Sequence, residues 1–258
     1  MSSSLSPTPS AAIDAWQQRW NELEVNPLSM WKSHEKHRFD LFHASLLGGD
    51  AQRVVVPMAG DCLAVKTFAV ERKCSVAAIE FVPRACERLQ ERFADTDVAF
   101  GNVVSLRDNV SLRRGTSAST GAEVRIFQCD VLDPQPELAD WADVLYDKDA
   151  FGALQPAMRA PYVALMSTYL KAGGIVLLAG ASRVIDVDKG PPFSLTRELV
   201  LAQWCATGAF EIVGEPRERV YNCEEDRFHD ITYMLKKVAM AVSSEAEANG
   251  GEQTNKQL

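Results

Sequence analysis

Two spacings of apolar residues divide the chain. Near the start they recur every three to four positions. Ile13, Trp16, Trp20 and Leu23 share one face of "IDAWQQRWNELEV", after the candidate caps Ser10 and Asp14. Phe39, Phe42, Leu46 and Leu47 do the same in "HRFDLFHASLL", which Gly48-Gly49 closes. From Arg53 onward, short apolar runs alternate with helical stretches. The run "RVVVP" precedes "LAVKTFAVERK", and "SVAAIE" precedes "VPRACERLQERFA", whose Pro83 suits a first helical turn. The runs "VRIFQCDV" and "ADVLYD" come next, then the helical "PAMRAPYVALMSTYLK" up to Gly173-Gly174, and then "GIVLLAG". A further helix, "SLTRELVLAQWCATG", has Ser194 or Thr196 as cap, and "FEIVGEPRERV" and "ITYMLKKV" look like a closing strand pair. Only "GNVVSLRDNVSLRRGTSASTGAE" breaks the alternation, as a loop or a β-hairpin insertion. Apolar strands alternating with helices predict an α/β fold, a mostly parallel sheet covered on both faces, with an antiparallel edge.

The remaining composition narrows this picture. At 258 residues the chain suits one sizeable α/β domain, expected over residues 13–240. The Ser/Pro-rich lead 1–12 and the polar tail 241–258 have little to bury and are expected to be disordered. A net charge of −8 argues against a nucleic-acid groove, and no apolar run approaches the roughly 20 residues that cross a bilayer. The six cysteines show no metal-ligand spacing and no CxxC, as for reduced thiols in a cytoplasmic protein; no metal is expected.

In a doubly wound sheet, ligands bind beyond the carboxyl ends of the strands. Three residues fall at such ends. Gly60 lies in the turn after the first strand, where the missing side chain admits a ligand to the backbone. Glu80 closes the second strand, where an acid holds ribose hydroxyls, and Asp130 ends the third, where a carboxylate could accept from an adenine amino group. Each alone reads equally as a solvated residue or a cap; in order on consecutive strands they point to a nucleoside cofactor. A pyrophosphate needs a glycine-rich turn, but "PMAGDC" holds one glycine and sets Asp61 where a phosphate would be repelled. S-adenosylmethionine carries no phosphate and suits the turn better than a nicotinamide dinucleotide.

With these residues in place, the chain resembles the thiopurine S-methyltransferase family of class I S-adenosylmethionine-dependent enzymes. The likeness runs over residues 16–238 and rests on "WQQRW", "RVVVPMAGD", Glu80, "YDKDAFGALQPAMRAPY" and "GPPF". It implies a Rossmann-like methyltransferase fold with a mostly parallel seven-stranded sheet. It also implies cofactor-binding roles for Trp16, Trp20, Met58, Gly60, Glu80, Asp130, Val131, Asp147 and Lys148, and substrate-facing roles for Trp31, Lys148 and Phe193. Arg159, Pro191 and Pro192 match positions that shape the fold and the rim of the site.

The departures fall mainly on the substrate side. Lys148 replaces the family arginine, keeping the charge but losing the planar fork, and Asp149 replaces a small residue. Asp61 stands where the family has lysine, and Met30-Trp31 stand for its aromatic-histidine pair. Methyl transfer from a sulfonium needs alignment more than acid–base help, and a thiolate acceptor needs no strong base. His34, His37 and Asp149 would serve only an oxygen or nitrogen acceptor, and each reads equally as a structural or surface residue. The expectation is therefore a cytoplasmic, monomeric enzyme that moves a methyl group from S-adenosylmethionine to a small-molecule sulfur, yields S-adenosylhomocysteine, and has neither nucleic-acid nor membrane partners. A cofactor-binding relative with little catalysis stays open beside it, as does a nicotinamide oxidoreductase.

Overall fold

The computed structural model describes residues 52–183, 190–220 and 228–238, together with Gln18. Apart from Gln18, the two helices expected near the N-terminus, with Trp16, Trp20 and Trp31, lie outside the described residues, as do both ends expected to be disordered.

The valine run shows how this sequence builds its sheet. In β1 (Arg53–Pro57) alternate side chains face opposite ways. Val55 packs into the core layer that contains Leu145, Tyr162 and Trp204, while Val54 and Val56 enter the layer with Phe68, Leu89 and Tyr146. A strand buried on both faces has no use for polar positions, so its apolar run is unbroken. β2 (Ser75–Glu80) pairs with β1 in parallel along its length. Between them run α1 (Leu63–Lys66) and a π-helical turn over Thr67–Glu71. After β2 comes α2 (Pro83–Glu91), with Pro83 in its first turn as expected and Ala85, Cys86 and Leu89 on its buried face.

The rest of the chain repeats this alternation after one interruption. β3 (Val98–Phe100), β4 (Val104–Arg107) and β5 (Val110–Ser117) precede β6 (Glu123–Gln128). β7 (Ala142–Lys148) leads through α3 (Ala150–Ala153) and α4 (Pro156–Tyr169) into β8 (Leu170–Arg183). α5 (Arg197–Val200), continued by a π-helical turn over Leu201–Cys205, then precedes β9 (Phe210–Ile212), β10 (Arg217–Val220) and β11 (Phe228–Lys237). Thr196 is the cap of α5: its hydroxyl accepts from the Leu199 N–H, while the Ser194 hydroxyl accepts from the Arg183 N–H.

The sheet corrects the expectation of seven mostly parallel strands: among the described residues it is mixed and has eleven. Five parallel strands form its centre, in the order β6-β2-β1-β7-β8. Antiparallel strands flank both sides. The higher count has two causes. First, β3 and β4 pair with successive parts of β5, and β9 and β10 with successive parts of β11, so eleven segments fill nine rows. The break between β9 and β10 holds Gly214, at φ +70°, and Pro216, which has no N–H to donate. Second, the segment that broke the alternation is a β-hairpin, turning at Asp108-Asn109 with Asn109 at φ +59°, and it adds two rows beside β6. Gly173-Gly174 also does something other than stop a helix. α4 already ends at Tyr169, and the glycines lie in an irregularity where Ala142 and Val144 face Leu170 and Ile175.

Counted in chain order, the five parallel strands lie as 3-2-1-4-5, with the order reversing between β1 and β7. A crevice for ligands is expected outside the carboxyl ends of the strands at that reversal.

Candidate active site

The loop leaving β1 is tied down at every turn. The Ala59 N–H donates to the Ile79 carbonyl at 3.0 Å, carrying the β1–β2 pairing two residues past Pro57. Met58 and Gly60 both have positive φ, +46° and +54°, so the chain doubles back twice in three residues. The Gly60 N–H then points at β2 and donates to Glu80 Oε2 at 2.8 Å. The other oxygen of that carboxylate, Oε1, accepts from the Val82 N–H at 2.8 Å. Burial raises the Glu80 carboxyl above its ordinary value, and the N–H groups of Val82, Gly60 and Phe81 pull the other way. One acid at the end of β2 thus fixes both loops that border the crevice.

These bonds bear on the choice of cofactor. The amides of Ala59, Gly60 and Cys62 donate to Ile79, Glu80 and Ala59, so they are not turned outward as a cradle for phosphate oxygens. Asp61 is also accounted for. Its carboxylate meets the guanidinium of Arg92 and, at 3.3 Å, that of Arg88, one on α2 and one at its C-terminal end. The charge that looked out of place beside a cofactor instead fastens the loop to the next helix. Replacing Asp61 by Ala is expected to cost about 0.5–2 kcal/mol in denaturant unfolding, since these partly buried side chains are still screened by solvent. Lysine, the residue of the related pattern, should cost more by setting a third cation against two.

Across the sheet, the end of β6 carries the expected adenine-side pair. The Cys129 N–H donates to the Glu80 carbonyl, extending the β2–β6 pairing. Asp130 Oδ1 accepts from the Leu132 N–H at 2.8 Å, a local turn that leaves Oδ2 for a partner, and Val131 is buried beside it. Asp130 borders a cleft of about 840 Å³ whose walls include Phe81, Gln128 and Leu132, with Arg107, Asn109 and Ser111 of the β4–β5 hairpin. That volume lies in the usual range for ligand sites. The hairpin wall was absent from the sequence expectation. Its only signal was the break in the strand–helix alternation, which says that something is inserted but not on which side it folds.

The end of β7 separates two residues that were expected to act together. Asp147 is fully buried; Oδ1 accepts from the Phe151 N–H at 3.0 Å and Oδ2 from the Tyr162 hydroxyl at 2.6 Å. These bonds turn it into the protein and hold α3 and α4 to the sheet. Lys148 follows at the strand end, with Nζ 3.8 Å from Asp149 Oδ2. Asp149 takes φ +64° to start α3, and its N–H donates to Ala179 on β8. Phe193 is pinned from below, its N–H donating to the Gly152 carbonyl at 2.7 Å. Met58, Gly60, Glu80, Asp130, Val131, Lys148 and Phe193 thus all lie at strand ends or in the loops that follow them, at one edge of the sheet.

A Rossmann-like α/β sheet, a one-glycine loop closed by an acid, and a ligand-sized cleft at the carboxyl edge fit a cofactor that has a ribose and no phosphate. The features are those of the S-adenosylmethionine-dependent methyltransferases. The sequence matches the family described as "Thiopurine S-methyltransferase (TPMT)" over residues 11–239, and the chain belongs to that family. It is 22% identical to a thiopurine S-methyltransferase of Legionella pneumophila (strain Corby) over 225 residues, covering 84% of this chain and 96% of that protein. It is 30% identical to one from Pseudomonas putida (strain GB-1) over 194 residues, covering 72% and 79%. The fold is also that of Burkholderia thailandensis 1,6-didemethyltoxoflavin-N1-methyltransferase, crystallised with 1,6-didemethyltoxoflavin and S-adenosylhomocysteine. There the TM-score is 0.61 at 14% identity, covering 92% of this chain and 94% of that one. The chain is an S-adenosylmethionine-dependent methyltransferase that acts on a small molecule.

Proposed function

We propose that the acceptor is a small thiol or a thiopurine-like sulfur, and that the residues named above share the work along the carboxyl edge of the sheet. Glu80 receives the ribose hydroxyls on its remaining lone pairs while holding the Gly60 turn in place. Asp130 and Val131 flank the adenine, with Phe81 and the β4–β5 hairpin as the far wall. Met58 and Gly60 shape the floor, Trp31, Lys148 and Phe193 face the acceptor, and Trp16 and Trp20 close over the cofactor from the N-terminal segment. The enzyme acts in the cytoplasm as a monomer, its methyltransferase domain spanning residues 13–240 with a central parallel sheet. The observation that supports the reading is the Glu80–Gly60 bond, which sets a carboxylate at the end of β2, where ribose hydroxyls bind in such sheets, and uses an N–H that a pyrophosphate would need.

When bound, S-adenosylmethionine supplies a methyl group already activated on a sulfonium. What remains for the protein is to align the acceptor and to keep water out. A thiol, with an ordinary pKa of about 8.5, is partly ionised near neutral pH and loses its proton to solvent, so no side chain is needed as a base. Consistent with this, neither Phe193, which has no titratable group, nor Asp147, fully buried with both oxygens engaged, is arranged as one.

Calorimetric titration with S-adenosylhomocysteine, followed by incubation with methyl-tritiated S-adenosylmethionine and a panel of thiols, thiopurines and halides, tests the proposal. Tight binding with label moving to sulfur is the expected result. Binding without transfer to any acceptor would leave a cofactor-binding protein, and binding of NADH instead would remove the cofactor assignment.

A further inference from the structure

Arg159 lies in the first turn of α4 with only 6% of its surface exposed. Its guanidinium stacks on two aromatic rings, 5.4 Å from the centroid of Phe151 and 4.8 Å from that of Phe193. Phe151 lies in α3, just after β7, and Phe193 follows β8, so both rings stand beyond the ends of these two strands. Among the described residues Arg159 has no hydrogen-bond or carboxylate partner, and two of its buried nitrogens, Nε and Nη2, are left without one. Buried polar groups are nearly always paired, and a buried charge with no counter-ion is costlier still. Desolvation accordingly depresses the Arg159 pKa.

The two unpaired nitrogens are not scattered. Nε–H and one Nη2–H project in parallel from the same edge of the guanidinium, the edge that takes a carboxylate with two parallel hydrogen bonds. The two rings lie against the group, and Nε and Nη2, which form this edge, are its nitrogens that are both buried and unpaired. Phe193 is fixed through its backbone to Gly152, and its ring lies so close to Gly190 that a β-carbon there would fall 2.4 Å from it. The segment around the arginine is therefore built tightly, yet the charge inside it is uncompensated.

We infer that the unpaired fork of Arg159, held between Phe151 and Phe193 beyond the ends of β7 and β8, receives a carboxylate of the methyl acceptor, so that the preferred acceptors are anionic. The inference rests on the methyltransferase reading of the same site and adds the charge of the substrate to it. Nε and Nη2 are closed to solvent in this conformation, so the carboxylate reaches them only with a local side-chain movement. Lys148, at the end of β7, stays near the sulfur end of the acceptor while Arg159 takes the anionic end.

The test uses the full-length protein saturated with S-adenosylhomocysteine and titrated with 3-(methylthio)benzoate, or with its uncharged counterpart thioanisole. S-adenosylhomocysteine binding is measured first, so that failure of the cofactor reading is seen separately. The carboxylate is expected to bind at least about tenfold more tightly than thioanisole, and R159Q should lose that preference because its amide offers a single donor group and no charge. If R159Q does not fold, the wild-type protein still decides the matter: the Arg159 Nε–H resonance should move on adding 3-(methylthio)benzoate and stay still with thioanisole. Equal affinities for the two probes, or an Nε–H resonance indifferent to the carboxylate, would overturn the inference. So would a resonance that moves fully with S-adenosylhomocysteine alone, which would give the fork to the carboxylate of the cofactor.

Discussion

Asp147→Ala is expected to lower folding stability by about 3–5 kcal/mol, because it strands the Tyr162 hydroxyl and the Phe151 N–H, each about 1–3 kcal/mol if left unpaired in the core. The same carboxyl should leave a mark on the pH dependence. Burial, with a smaller contribution from the nearby Asp149, pushes the Asp147 pKa from 3.8 up to about 7, against the hydrogen bonds from Tyr162 and Phe151. The folded chain therefore keeps a proton that the unfolded chain has already released. For this group stability is greatest below about pH 4, falls as pH rises toward 7, and is flat above, a total on the order of 4 kcal/mol. Other carboxylates slope the opposite way, notably Glu123, which Arg125 and Arg114 hold below its usual value despite partial burial. The useful comparison is therefore wild type against Asp147→Asn, which keeps the shape without the titration. Urea unfolding at pH 5 and at pH 8 should show the Asn variant closing part of its deficit at the higher pH. A constant gap would show that Asp147 titrates normally.

Glu80→Ala should weaken S-adenosylhomocysteine binding by about 1–3 kcal/mol, a roughly ten- to hundredfold rise in Kd, through lost charge-assisted hydrogen bonds. The structure adds that Gln is not a silent replacement. The carboxylate accepts from Gly60 and Val82 with one oxygen each, and an amide can satisfy only one of those donors while turning its own N–H toward the other. Glu80→Gln should thus lose affinity as well and loosen the Gly60 turn, seen as faster hydrogen exchange at that amide. Calorimetry on both variants checks this; unchanged Kd values would reduce Glu80 to a tie between loops.

Much of this architecture could be read from the sequence because burial on two faces leaves a plain signature. The strands Arg53–Pro57, Ser75–Glu80 and Ala142–Lys148 have few polar positions, and their ends pointed to Gly60, Glu80 and Asp130 without side-chain geometry. Less legible was what pairs at a distance. Asp61 and its arginines are 27 and 31 residues apart, so an isolated acid next to a glycine looked like a feature of the cofactor loop. Asp147 carries the motif of a ligand residue yet turns inward to Tyr162, a choice made by the packing of α4 rather than by local sequence. The hairpin had its turn written in Asp108-Asn109, but the strands on either side carry too many polar positions to declare their sheet. Arg159 matched a family position and was read as shaping the rim; only its unmet hydrogen bonds single it out.

The Asp61 contacts also constrain how this loop could have changed over time. A carboxylate shared by Arg88 and Arg92 makes the three positions epistatic. An ancestor with lysine at position 61 would have been a poor background for acquiring both arginines, and the present protein is a poor background for regaining the lysine. Only an order of substitutions that passes through a neutral residue at position 61, or that removes the arginines first, avoids an unfavourable intermediate. Transplanting the loop of a relative into this chain should therefore fail unless the facing side of α2 travels with it.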